Sequence, residues 1–366
     1  MNDDDAFMGN ALALARRGMG ETWPNPTVGC VFVDKGRVLA RGRTARGGRP
    51  HGEAAAIAAA RDAGRDLAGT TAYVSLEPCS HHGRTPPCAD ALVEAKVARV
   101  VVATGDPDPR VGGNGLKRLR EAGIEVVEGV RRAEADEINA GFFKRVRDGR
   151  PLVTLKLATS LDGRIATVSG QSKWITGVDA RARGQLLRAE HDAIMIGIGT
   201  AAADDPELTC RLPGLGDRSP VRIVIDSRAR LDRASKLVTG AKQVPVWLVC
   251  VEATDTSALA AAGVEIIKVQ ASPTGTVDIV AALAALGARG LTRVLVEGGG
   301  RLAASLVAAD LVDRLAVFRA GLVIGGDGLA AVAGYGLEKL DLARRYMRQS
   351  LQEIGADALE TWARAQ

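Results

Sequence analysis

The stretch TAYVSLEPCSHHGRTPPCADAL, Thr71 to Leu92, decides how the first half of the chain is read. TAYVSL is apolar and rich in strand formers, and it predicts a buried strand. Pro86 and Pro87 introduce a helix from Cys88 to Ala95, because proline is preset for a first helical turn. Between them lie two cysteines, Cys79 and Cys88, and the adjacent histidines His81 and His82. Cysteine with histidine points to a metal, but the spacing is not that of a zinc finger. Which of these residues bind, and what the others do, depends on the sequence around them.

Upstream, Phe7, Met8, Ala11, Leu12 and Ala15 keep helical spacing between Asp4 and Gly18. VGCVFV and RVLAR read as paired strands about a DKG turn. Glu53 to Ala63 is nearly all alanine and predicts a helix packed closely on a sheet. Downstream, RVVVAT and IEVVEG are strands, while GLKRLREAG and Arg131 to Val146 are helices. A strand pair followed by alternating helices and strands makes a layered α/β domain. The pattern breaks at RVRDGRPLV, which puts domains at 1–148 and 149–366. The second repeats the α/β rhythm with LVTLKLA, AIMIGI, VRIVID, VPVWLVC, VEIIKV, RVLVEG and RLAVFRA as strands.

Composition agrees and excludes some functions. A chain of 366 residues is too long for one ordinary core. The net charge is +5, yet no Lys/Arg block of the kind a nucleic-acid arm needs is present, and aromatics make up only 3%. Cys30, Cys79, Cys88, Cys210 and Cys250 are an odd, scattered set, unlike a disulfide framework. The acidic MNDDDAFMGN start lacks a signal-peptide core, and the apolar run IVAALAALGA is too short to span a bilayer. The expectation is a cytoplasmic protein with no nucleic-acid or membrane partner.

His51, in PHGEAAA, lies well upstream of the cysteines and is followed by Glu53. Two cysteines at helix starts plus one upstream histidine supply three zinc ligands and leave a fourth position for water, as in catalytic zinc sites. Two thiolates neutralise the dication, and a helix start stabilises a thiolate. Zinc so held lowers the pKa of its water, and Glu53 is placed to carry protons. A His-x-Glu then Pro-Cys order is the zinc-deaminase arrangement, except that eight residues separate Cys79 from Cys88 instead of two. His81 and His82 are rival ligands inside that insert. His51 is preferred, because a site closed by more protein ligands would waste Glu53.

TWPNPTVGCV, HGEAAA, EPCSHHGRTPPC and GDPDPRVGGNG together resemble the deaminase half of the bifunctional riboflavin-biosynthesis deaminase/reductase family. The resemblance implies a cytidine-deaminase-like fold, with His51, Cys79 and Cys88 on zinc and Glu53 as proton donor. It implies that Asn25 holds the base of a phosphoribosylated diaminopyrimidine substrate. Arg84 and Thr85 in the insert are suitable phosphate donors, or the insert merely closes over the site.

In the second half, TRVLVEGGGRLAASLVAAD is a strand, a triple glycine and a helix. Helix-start amides bind phosphate, though a triple glycine is also an ordinary tight turn. With KLATSLDGRIAT, SKWITG, GIGTAAADDPELTCR and VIDSRAR, it resembles the same family's reductase half, whose fold is like dihydrofolate reductase. That likeness implies NADPH contacts at Ala158, Trp174, Thr200, Asp204, Ser227 and Gly299, Gly300, Arg301, Leu302, Ala303, Ala304 and Ser305. It implies substrate contacts at Ser172, Arg188, Leu208, Arg211 and Glu297. Lys156 and Asp162 sit beside these in sequence as possible catalytic groups. Cys30 and Cys250 read as core residues, and His191 as structural. A homodimer or higher homo-oligomer is expected, because this fold commonly buries sheet edges between subunits. Two rivals are a nucleic-acid deaminase with an accessory domain and a structural zinc domain joined to a nucleotide sensor. Scarce aromatics count against the first, and Glu53 against the second.

Overall fold

A computed structural model describes residues 3–80, 86–108, 112–252 and 254–365. The chain divides into two compact units, Met1–Gly149 and Arg150–Gln366. His81, His82, Arg84 and Thr85 lie outside the described residues.

The first unit runs α1 (Asp3–Arg16), β1 (Gly29–Asp34), β2 (Arg37–Arg43), α2 (Gly52–Asp62), β3 (Thr71–Val74), α3 (Cys88–Glu94), β4 (Arg99–Val102), α4 (Asn114–Glu121), β5 (Glu125–Glu128), α5 (Arg132–Ile138) and α6 (Ala140–Asp148). Its five-stranded sheet has the order β2-β1-β3-β4-β5. β1 is antiparallel to β2 and β3, whereas β3, β4 and β5 run parallel. Alternation along β1 sorts the core onto two faces. Cys30 and Phe32 meet Ala56, Leu92 and Leu119 of α2, α3 and α4. Val31 and Val33 meet Met8, Leu12 and Ile138 of α1 and α5. Helices cover both faces, so the unit has three layers. Burying each such large aliphatic or aromatic side chain contributes about 1.5–3 kcal/mol. The alanine helix does lie close to the sheet: a Cβ on Gly42 of β2 would stand 2.4 Å from the Ala56 nitrogen of α2.

One element differs from the sequence reading. The helix expected over Arg131 to Val146 is broken at Asn139 into α5 and α6. The buried Asn139 amide accepts from the Thr27 nitrogen at 3.0 Å and donates to the Thr27 carbonyl at 3.1 Å. It replaces a missing strand partner for the segment before β1. Apolar spacing carries no mark of such a bond.

The second unit runs β6 (Leu152–Thr159), β7 (Arg164–Ala166), α7 (Val178–Ala189), β8 (Ala193–Gly197), α8 (Ile198–Asp204), β9 (Val221–Ile225), α9 (Lys236–Thr239), β10 (Val246–Val251), α10 (Ser257–Ala261) and β11 (Glu265–Val269). It continues with α11 (Ile279–Ala288), β12 (Arg293–Val296), α12 (Gly300–Ala308), β13 (Arg314–Arg319), β14 (Leu329–Ala330), β15 (Tyr346–Ile354) and β16 (Asp357–Arg364). The nine-stranded sheet has the order β11-β10-β9-β8-β12-β6-β13-β16-β15. From β11 to β13 the strands are parallel, while β16 and β15 are antiparallel additions. From β6 the chain winds outward to β11, then returns to insert β12 between β8 and β6. In open α/β sheets such a reversal leaves a crevice at the strands' carboxyl ends, where ligands bind. The pairs β15–β16 and β7–β14 carried no signal in the sequence reading. β15 is an edge strand largely exposed on both faces, so its side chains do not alternate in polarity.

Candidate active sites

In the first unit, His51 is the N-cap of α2 and Glu53 lies in its first turn. Cys79 follows β3, and Cys88 opens α3. The fold brings these residues together. The His51 Nδ1 lies 3.7 Å from the Cys79 sulfur and 3.4 Å from the Cys88 sulfur. All three candidate ligand atoms fall within 4.8 Å of one another, the span of a small metal centre. The Cys88 backbone N–H also donates to the Cys79 sulfur at 3.4 Å.

The electrostatics follow from this crowding. Cys79 is pulled down to about 4, first by its hydrogen bond with Cys88 and then by His51 and the Cys88 amide. Cys88 is pushed up by the same sulfur–sulfur bond and by burial. His51 is raised, chiefly by Cys79. Burial pushes Glu53 up to about 7. Glu53 is only 2% exposed, and its Oε2 has no hydrogen-bond partner. A buried carboxylate oxygen left unpaired costs about 1–3 kcal/mol or more, so its retention beside two thiols and an imidazole calls for a partner from outside the chain. Zinc with its water fits that donor set.

Asn25 stands on the loop before β1, and its Nδ2 donates to the Gly48 carbonyl at 3.0 Å. Gly48 has φ +83°, and a Cβ there would lie 2.2 Å from the Asn25 Nδ2. The asparagine is thus tied to the loop that leads into His51. Sequence reasoning missed Glu77. It is 4% exposed and accepts from the backbone of Asp106, Gly113 and Gly115. A charged residue directly after a buried strand was the available signal.

In the second unit Ala158, Thr200, Ser227, Glu297 and Gly299 stand at or just beyond the carboxyl ends of β6, β8, β9 and β12. The Gly299 nitrogen, after β12, donates to the Thr200 hydroxyl, after β8, at 3.0 Å. The triple glycine is also a tight turn: a Cβ on Gly300 would stand 2.6 Å from the Ala330 carbonyl, and one on Gly298 2.8 Å from Leu302. The turn reading of that motif is what the packing shows. Within 299–305, Leu302, Ala303 and Ala304 are buried, while Arg301 and Ser305 are exposed. Ala158 lies on β6, opposite Phe318. The Ser227 hydroxyl, after β9, accepts from the Val277 nitrogen at 2.9 Å. Asp204 is exposed at the end of α8, and Ser172 is half-buried. Trp174 is 68% exposed, with the Arg181 guanidinium 4.5 Å over its ring.

The charged residues of the second unit are paired with one another. Arg188 makes a two-pronged pair with Glu297, at 2.9 and 3.0 Å, and donates to the Thr209 carbonyl at 3.0 Å. Lys156 adds a second cation 3.8 Å from Glu297. Burial opposes the Glu297 charge, but Arg188 and Lys156 overcome it and hold the carboxyl down to about 2. Arg211 is exposed, 3.5 Å from the equally exposed Glu207. Leu208 is buried with φ +56°. Asp162 accepts from Ser160, Ile324 and Gly325, so its carboxylate ties two loops together. His191 is buried between the Leu187 carbonyl, 2.7 Å away, and the Thr154 hydroxyl, 2.9 Å away. That is a structural setting. Cys30 and Cys250 are fully buried, as expected of core residues.

Fold and donor set define a class: a zinc deaminase unit of the cytidine-deaminase kind followed by a reductase unit. Residues 1–104 match the family described as the cytidine and deoxycytidylate deaminase zinc-binding region, and 151–359 match the RibD C-terminal domain. The chain is 42% identical to the riboflavin biosynthesis protein RibD of Escherichia coli, over 97% of each. It is 36% identical to that of Aquifex aeolicus, over 97% of this chain and 96% of the relative. The solved RibD of Acinetobacter baumannii superposes with a TM-score of 0.87 at 36% identity, over 100% of this chain and 99% of that one. The chain belongs to the RibD family of bifunctional riboflavin-biosynthesis proteins, and its cofactors are zinc and NADPH. Among the described residues, no helix is long and apolar enough to cross a membrane.

Proposed function

We propose that this chain catalyses two consecutive reactions. The first is hydrolytic deamination of 2,5-diamino-6-(5-phosphoribosylamino)pyrimidin-4(3H)-one. The second is NADPH-dependent reduction of the ribosyl side chain of 5-amino-6-(5-phosphoribosylamino)uracil to ribityl. A relative from Thermotoga maritima, 34% identical with a TM-score of 0.88, is described as a diaminohydroxyphosphoribosylaminopyrimidine deaminase/5-amino-6-(5-phosphoribosylamino)uracil reductase. The observation that carries the deaminase reading is the buried, unpartnered Glu53 Oε2 beside the His51, Cys79 and Cys88 ligand atoms.

In this reading residues 1–148 are the deaminase domain and 149–366 the reductase domain. His51, Cys79 and Cys88 hold zinc. When bound, zinc supplies Lewis acidity and lowers the pKa of a water. Glu53 would carry two protons in turn, one from the attacking water to the ring nitrogen and one from the hydroxyl so added to the carbon to the departing amino group, as the C–O bond forms and the C–N bond breaks. A carboxyl pushed up to about 7 by burial is suited to move protons both ways near neutrality. Asn25 holds the base. Arg84, outside the described residues, takes the phosphate.

In the reductase, NADPH supplies hydride to the opened sugar carbon. The chain's own work is to orient cofactor and sugar and to exclude water. Thr200 and the Gly299–Ser305 segment form one wall, with Ala158, Trp174, Asp204 and Ser227 as further cofactor contacts. Arg188 is satisfied by Glu297 and so holds that carboxylate for substrate. Arg211, with only an exposed pair, is the phosphate anchor, and Ser172 and Leu208 complete the substrate set. The exposed edge strand β15 is where we place self-association into a homodimer or higher homo-oligomer, and the cytoplasm is the compartment.

Incubating the chain with the diaminopyrimidine phosphoriboside, with and without NADPH, tests the proposal. Ammonia is expected in both cases and NADPH oxidation only after it. NADPH oxidation without prior ammonia release would overturn the order.

A further inference from the structure

The Pro-Cys-x8-Cys segment needs a device that Cys-x-x-Cys sites do not. There, one helix start carries both cysteines. Here Cys79 follows a strand and Cys88 opens α3, with eight residues between them. Something must set their separation before an ion arrives.

The helix α4 touches the segment at both ends. On the Cys79 side, the Glu77 carboxylate accepts from the Gly113 and Gly115 nitrogens at 3.1 Å each and from Asp106 at 3.3 Å. The Glu77 nitrogen donates back to the Thr104 carbonyl at 2.9 Å. A carboxylate at a helix start is also favoured by the helix dipole. Contact is close enough that a Cβ on Gly115 would lie 1.9 Å from the Pro78 carbonyl oxygen, so only glycine fits. On the Cys88 side, Arg118 of α4 donates to Asp90 of α3 at 2.8 Å. Beneath that pair, Leu116 and Leu119 share a core with Ala89 and Leu92.

We propose that Glu77 is a positioning residue for the metal centre, acting through α4 as a splint that fixes Cys79 relative to Cys88. Glu77 does not ligate the ion. It presets the separation of two sulfurs whose residues stand 9 positions apart in the chain. The inference rests on the reading that His51, Cys79 and Cys88 hold zinc. It also gives a purpose to two motifs that the chemistry left unused, the glutamate of EPC and the GGNG at the start of α4.

The test uses the full zinc-loaded chain and a chromogenic chelator. Glu77→Gln keeps the size but removes an acceptor and the charge. It is expected to release zinc roughly 10–100-fold more readily, the usual cost of losing a group that orients metal ligands. Reductase turnover should stay at the starting value. Arg118→Ala, on the exposed side of the splint, should shift release a few-fold in the same direction. A merely structural Glu77 would lower the melting temperature of the first unit while zinc release stayed unchanged, and that result overturns the proposal. Should Glu77→Gln fail to fold, unchanged zinc release from Arg118→Ala overturns it instead. His51→Ala is the control. If it retains zinc, the ion sits elsewhere and the ligand assignment falls together with the splint.

Discussion

In the first unit the reactive groups converge on one point, and in the second they are strung along a row of strand ends. The difference extends to how charge is handled. Glu53 keeps a buried oxygen without a partner beside two thiols and an imidazole. Glu297 is less enclosed, with 12% of its side chain exposed, and is matched by Arg188 and approached by Lys156. A site built for a resident ion reserves its donors and leaves one acceptor unsatisfied. A site that receives both cofactor and substrate from solution keeps its own buried charges neutralised.

Glu53→Gln probes the unsatisfied side of that comparison and should have the largest effect. Loss of a positioned proton carrier typically costs 10²–10⁴-fold in rate. Ammonia release should fall by about that factor, with zinc retained and NADPH oxidation of the deaminated substrate unchanged. Deamination within threefold of the starting rate would remove Glu53 from the chemistry.

Glu297→Gln probes the satisfied side. It leaves the largely enclosed Arg188 with a neutral partner that can accept through one oxygen only, and breaking a buried pair costs about 3–5 kcal/mol as an upper bound. The second unit should unfold at clearly lower denaturant, with deaminase activity intact. If stability held and only the Michaelis constant for the sugar phosphate rose, Arg188 would be a free anchor after all.

The sequence made the convergent site more legible than the dispersed one for a physical reason. His51, Glu53, Cys79 and Cys88 are residue types whose company has few purposes, and the starts of α2 and α3 fix His51, Glu53 and Cys88. Arg188 and Glu297 lie 109 residues apart and look like ordinary charges until the sheet brings them to adjacent positions. The layered fold was readable because Cys30 and Phe32 alternate with Val31 and Val33 along β1. Asn139 and Glu77 were not, since each acts through hydrogen bonds to backbone far away in sequence. β15 was missed because an exposed edge strand has no face to mark.

His191 gives the second unit a pH signature of its own. Burial holds the imidazole neutral and lowers it to about 3. Below its ordinary value near 6.5, the unfolded chain binds a proton that the folded chain refuses. The stabilising effect is therefore fully present above about pH 6.5 and is lost as pH falls toward 3. At roughly 1.4 kcal/mol per unit, acidification from 6.5 to 4 costs the second unit about 3 kcal/mol at most. His191→Gln should flatten the acid limb of its stability curve. An unchanged slope between pH 6.5 and 4 would mean that other groups dominate it.

The smallest expected effect falls on the most exposed part of the dispersed site. Trp174 is a large aromatic left 68% open to solvent, with Arg181 stacked 4.5 Å over its ring and donating to the Thr176 carbonyl at 2.7 Å. A core aromatic would be buried, so exposure favours the reading in which the ring awaits the cofactor. Stacking of this kind at an open site contributes about 0.5–1 kcal/mol. Arg181→Ala should therefore raise the Michaelis constant for NADPH only about two- to fivefold, with turnover at saturation unchanged, and Arg181→Lys should lie between. Trp174→Ala should have a larger effect in the same direction. If neither variant moved the NADPH constant, Trp174 would leave the cofactor wall, and the dispersed site would shrink to the crevice between β8, β12 and β6, where Thr200 meets Gly299.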